Sequence, residues 1–97
     1  MRGTLWNPKS LKKPLAEGEA EITTWLHTPD GKPRDRVTLS FTDVPKSHLA
    51  LYKNQVLYLT LEDGRQAKVA IQYVATLPKG MMTTLKVLSD WDEKLVG

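Results

Sequence analysis

Residues 34–42 read Arg34-Asp35-Arg36-Val37-Thr38-Leu39-Ser40-Phe41-Thr42. Val37, Leu39 and Phe41 alternate with Arg36, Thr38, Ser40 and Thr42, so an extended backbone puts three apolar side chains on one face and the polar ones on the other. A helix would scatter them around its axis. This is the cleanest strand pattern in the chain, and Val37, Leu39 and Phe41 are expected in the core. The same period recurs outward in both directions. Residues 55–62 place Leu57, Leu59 and Leu61 on one face, residues 65–77 place Ala67, Val69, Ile71 and Tyr73 inward against Lys68 and Gln72, and residues 81–89 place Leu85 and Val87 inward. Upstream, residues 19–28 set Ala20, Ile22, Thr24 and Leu26 opposite Glu21, Thr23, Trp25 and His27, and residues 3–6 make a short first strand.

Turn chemistry separates these segments at Asn7-Pro8, residues 14–18, Pro29-Asp30-Gly31, Asp43-Val44-Pro45, Glu62-Asp63-Gly64 and Pro78-Lys79-Gly80. Two of the turns carry Asp-Gly, the residue pair that accepts the positive φ of a tight hairpin. The second and third segments, and the fourth and fifth, are therefore expected to be antiparallel neighbours. Between the third and fourth, residues 43–53 offer Pro45 for a first helical turn and Leu49 and Tyr52 three residues apart, which predicts one or two turns of helix. Ser89-Asp90-Trp91-Asp92-Glu93-Lys94 could cap another, but it is too short to hold unless Trp91 docks.

Five or six strands, each with one apolar face, must cover that face, and closing the sheet also removes its edges. The expected fold class is all-β and mainly antiparallel: a small closed or partly open barrel or roll of five to six strands with one short helix between strands three and four. At 97 residues the chain suits a single domain over 1–97, of which 1–18 includes a basic, proline-containing loop.

The composition contains 14 Lys+Arg, 11 Asp+Glu and no cysteine, for a formal net charge of +3. A disulfide framework, a thiolate nucleophile and a Cys-ligated zinc are thereby excluded. Residues 1–14 hold Arg2, Lys9, Lys12 and Lys13 and no acid, whereas residues 15–97 hold ten bases and eleven acids, so the basic excess belongs to the N-terminal arm. The longest apolar runs, 49–52 and 56–59, are four residues each, far below the roughly 18 that a membrane helix needs. With no secretory pattern at the start, a cytoplasmic location and no membrane partner are the expectation.

Catalytic motifs do not emerge. His27 and His48 fall in different segments and no HExxH or paired-His spacing exists, so both read as surface histidines and no metal is expected. The carboxylates at 17, 19 and 21, and at 90, 92 and 93, read as solvated faces. The six glycines form neither GxGxxG nor a P-loop, and no serine lies in a GxSxG elbow. The chain is expected not to be an enzyme, to use no cofactor and to take no small-molecule substrate. A binding module remains. Trp25 and His27, with Tyr58 on the outward face of the fourth segment, are the candidate protein-binding residues, for a protein partner or a homo-oligomer formed through an edge strand. The alternative is a nucleic-acid-binding barrel in which Lys9, Lys12 and Lys13 of the arm join Arg34 and Arg36 on one phosphate-contacting stripe.

Overall fold

Strands form where the alternation lies: β1 (Arg2–Trp6), β2 (Ala16–Trp25), β3 (Arg34–Thr42), β4 (Val56–Leu61), β5 (Gln66–Leu77) and β6 (Gly80–Val87). The computed structural model describes residues 1–25, 29, 31, 33–42, 51–78, 80–91 and 94–96; the side chains of residues 25 and 42 fall outside that description. All neighbours are antiparallel, in the order β1-β2-β3-β6-β5-β4, and β4 pairs with β1 to close a barrel. Both expected hairpins are present, β2 with β3 and β4 with β5, and Gly31 and Gly64 take φ of 71° and 96° at their turns.

The expected helix is not supported. Residues 43–50 lie outside the described residues, and the rest of the segment is a turn. There the Gln55 N–H donates to the Tyr52 carbonyl at 3.0 Å, the Tyr52 N–H donates to Gln55 Oε1 at 3.0 Å, and Asn54 takes a left-handed φ of 67°. Asparagine tolerates that conformation, and it delivers the chain directly into β4.

Inside the barrel, Leu5, Val37, Leu39, Leu57, Leu59, Val69, Ile71 and Leu85 are fully buried, with Phe41 beside them. Ala20 and Leu61 are buried and Val87 packs against the cluster. Tyr73 is the correction: it was expected inward and is instead exposed. The register runs Ile71 to Leu85 and then Tyr73 to Thr84, so Gln72 is an extra residue on β5. A bulge of this kind shifts the alternation by one, which turns Tyr73 out and brings Val74 against the core.

One glycine decides the packing of β2. A Cβ on Gly18 would fall on the carbonyl oxygen of Ser40 and lie 2.9 Å from Cδ1 of Phe41. The missing side chain is what lets β3 bring Phe41 into the barrel at that level.

Alternate strand directions give the barrel two ends. The upper end carries the β1–β2 connection (7–15), residues 51–55 leading into β4 and the β5–β6 turn, and the lower end carries the β2–β3 and β4–β5 hairpins and the chain after β6. Among the described residues no helix is long and apolar enough to cross a membrane. Gly18→Ala is expected to destabilise the barrel by about 1–3 kcal/mol, the usual cost of overpacking. The check is a lower urea midpoint with an unchanged slope.

Candidate binding surfaces

At the lower end the chain after β6 folds back against the barrel and is held by side chains from β3, from the β4–β5 turn and from β5. Trp91 is the anchor. Its indole N–H donates to Asp35 Oδ2 at 2.7 Å, and the other carboxylate oxygen of Asp35 accepts from the Thr24 hydroxyl at 2.8 Å. The Arg65 guanidinium lies over the indole, 5.5 Å from its centroid, where the ring face attracts a cation. Gln66 completes the strap: its Oε1 accepts from the backbone N–H groups of Leu95 and Val96, and its amide donates to the Val96 carbonyl. The docking of Trp91 is thus present, although residues 92 and 93 of the expected helical turn lie outside the described residues.

Between this strap and β3 lies an open groove of about 780 Å³ whose walls include Arg34, Asp35, Lys68, Leu88, Asp90 and Trp91. Its charges are mixed, and Asp35 is already committed to Trp91 and Thr24. Beside it, on the outer face, Arg36 stands directly opposite Lys86 in the β3–β6 register. Arg34 and Lys68 lie one two-residue step nearer the lower end on β3 and β5. Arg36 donates to the Oε1 of Gln72, the bulge residue. Like charges directly opposite each other on a sheet are unfavourable unless an anion or a polar partner lies close.

The candidate nucleic-acid residues are split by the topology. Lys9, Lys12 and Lys13 sit on the upper 7–15 connection, whose turn is set by the Ser10 N–H bonding the Asn7 carbonyl at 2.9 Å and the Lys9 N–H bonding Asn7 Oδ1 at 3.0 Å. Arg34 and Arg36 belong to the lower half of β3. What joins the two arginines is Lys68 and Lys86, which sequence reasoning did not single out, because the adjacency of β5, β6 and β3 is set by the fold.

The candidate protein-binding residues are separated too. Trp25 lies at the lower end of β2, in register with Arg34, and His27 lies outside the described residues. Tyr58 is on the outer face of β4, and β1 stands between β4 and β2. Its cross-strand aromatic neighbour is therefore Trp6, whose indole N–H donates to Thr60 Oγ1 at 2.9 Å.

A different outer surface lies toward the upper end. β4 pairs with β5 only from Gln66 to Ala70, with a last pair of backbone bonds between Ile71 and residues 54 and 55. Beyond Ile71, among the described residues, β5 pairs with β6 alone, so Tyr73 to Leu77 form a strand edge. Tyr73 is 58% exposed, Val56 47% and Leu77 39%. No charge occurs in the ten residues between Lys68 and Lys79.

The shifted titrations are at exposed staples of the lower end. The Met1 amine donates to Glu19, which raises the amine and lowers the carboxyl. The Arg65 backbone N–H, and then its guanidinium, hold Asp63 below its ordinary value. The Asp63 contribution to stability is full above the ordinary 3.8 and is lost as pH falls through the lower folded value. Among the described residues no three of His, Cys, Asp and Glu are grouped to hold a metal ion. Comparisons with protein-family models, curated proteins and solved structures return no match for this chain.

Trp91→Phe keeps the ring and removes the donor to Asp35, and is expected to cost about 1–2 kcal/mol, the cost of leaving a partly buried acceptor without its partner. Hydrogen exchange at the Leu95 and Val96 amides checks it, since both should lose protection if Trp91 anchors the strap.

Proposed function

We propose that this chain is a non-enzymatic interaction module whose partner is a protein, bound on the outer face and open edge of β5. One observation carries the reading: among the described residues, a strand edge with exposed Tyr73 and Leu77 and no charge between Lys68 and Lys79. Exposed edges are usually blunted by lysine, proline or inward-pointing charge, because unpaired backbone groups invite another strand. Here Pro78 stands only at the tip. Strand addition would draw its affinity from main-chain bonds and its specificity from side chains such as Tyr73. The aromatic strand face expected of a protein-binding barrel is then supplied by Tyr73, with Val56 and Met82 nearby. Trp25, His27 and Tyr58 take no part in this reading.

The test is a photo-crosslinker, p-benzoylphenylalanine, placed at Tyr73 or, as control, at Thr23 on the exposed outer face of β2, in the cells that make the protein. Covalent protein adducts are expected at 73 and not at 23, and Leu77→Lys in the same chain should abolish them. Equal labelling at both positions, or none at 73, would overturn the reading.

The like-charge pair Arg36 and Lys86, with Lys68 and Arg34 below it, favours a second reading in which the β3–β6–β5 face holds a nucleic-acid phosphate backbone. Amide NMR titration with single- and double-stranded oligonucleotides separates the two. On this reading, shifts should cluster at Arg36, Lys68 and Lys86, fade at physiological salt and spare Lys9, Lys12 and Lys13. Shifts confined to the 7–15 connection, or no shifts at low salt, count against it.

A further inference from the structure

Register and charge together bear on the occupant of the β5 edge, resting on the reading of that edge as a protein-binding surface. Leu77 pairs with Gly80 across a two-residue turn, and the pair closing such a hairpin exchanges backbone bonds. The alternation then directs the backbone groups of Leu77, Ala75 and Tyr73 at β6, and those of Val74 and Thr76 at the side of β5 where, among the described residues, no strand pairs. Two donors and two acceptors therefore face outward over a stretch bounded by the bulge at Ile71/Tyr73 below and Pro78 above.

We infer that the edge is filled by a second copy of this chain, β5 against β5, antiparallel about a two-fold axis through Ala75. In that register Val74 of each copy exchanges backbone bonds with Thr76 of the other, which uses all four edge-facing groups. Ala75 faces Ala75 in the non-hydrogen-bonded position, where Cα atoms approach to about 4.5 Å and small side chains fit best. On the outer face Tyr73 of one copy lies against Leu77 of the other, an aromatic–aliphatic pair made twice by symmetry. On the inner face Val74 meets Thr76.

Charge favours a self-pair as well. A strand carrying a lysine or a glutamate at its centre would set like charges together across the axis, whereas residues 69–78 carry none. Closure follows from geometry. The isologous contact consumes the upper β5 edge of both copies, so this pairing closes on itself as a dimer and does not propagate into a fibre. Its core would be two β3–β6–β5 sheets joined into one of six strands. The contact is short and belongs at the small end of the interface range, so the equilibrium should be visible across accessible protein concentrations.

Sedimentation equilibrium of the full chain, from low micromolar to several hundred micromolar, is expected to move from 11.0 kDa toward twice that mass. Because the chain has no cysteine, Ala75→Cys creates a single thiol on the axis, at a Cα separation a disulfide can span. Mild oxidation should link it into dimers at least tenfold faster than Thr23→Cys on the exposed outer face of β2. Thr76→Pro removes an edge N–H that β6 does not use, and Ala75→Lys opposes two ammonium groups while leaving the backbone intact. Either should hold the chain at 11.0 kDa. A wild-type chain that stays monomeric with no preferential linkage at 75 overturns the self-pair, as does a dimer that survives Ala75→Lys. Hetero-adducts at position 73 in cells would in that case keep the protein-binding reading standing, and their absence would remove both.

Discussion

Closure of the barrel depends on β1, the shortest strand, because it alone joins β2 to β4. Five residues supply few ladder bonds, and the strand is stitched on both flanks. Arg2 pairs through its guanidinium with Glu17 on β2, and its backbone N–H bonds Glu62 just beyond β4. At the other end the Trp6 indole holds Thr60, while Leu5 enters the core and Gly3 lets Ala20, Leu39 and Leu61 converge on the space a side chain would fill. Without this seam the sheet would expose both β2 and β4, with the leucines of β4 half uncovered. The core, the lower hairpins and the position of every surface described above presuppose it.

Closure does not remove every edge, because the strands differ in length. β4 has six residues and its partner β5 has twelve, so the ladder between them ends while β5 continues upward with β6. The bulge at Gln72 falls where β4 stops supporting β5. It rotates the strand so that Tyr73 faces solvent and Val74 takes the inward place, which keeps the core closed at the level where the barrel opens. A longer β4 would have buried the edge, and a β5 without the bulge would have turned Tyr73 inward.

Legibility in the sequence follows how local each cause is. Alternation in residues 34–42 and 55–62 names core positions because every second side chain of a strand must face the same way, whatever its neighbour. The Asp-Gly turns name two hairpins because positive φ is a property of one residue. The bulge was hidden, since Gln72 is extra only with respect to β6, although the apolar spacing does slip from Ile71 to Val74. Trp91 and Asp35 are 56 residues apart, and nothing in either neighbourhood announces the other. The surfaces were the least legible. Lys9, Lys12 and Lys13 look contiguous with Arg34 and Arg36 as a basic set, but the strand directions send them toward opposite ends, and Trp25 with Tyr58 required an adjacency that β1 occupies.

The two ends of the molecule are built on different physics. Below, Asp63 with Arg65, Asp35 with Thr24 and Trp91, and Gln66 with the chain after β6 satisfy polar groups within the same chain, which leaves little for a partner to add except at the groove and the cations beside it. Above, the polar groups of Val74 and Thr76 have only solvent or another strand to turn to among the described residues, and the side chains around them are apolar or neutral. Backbone groups of an edge strand lose little by exchanging water for a second strand, while Tyr73 and Leu77 benefit from leaving it. That asymmetry, more than any single residue type, is why the upper half of β5 is the surface where association is expected.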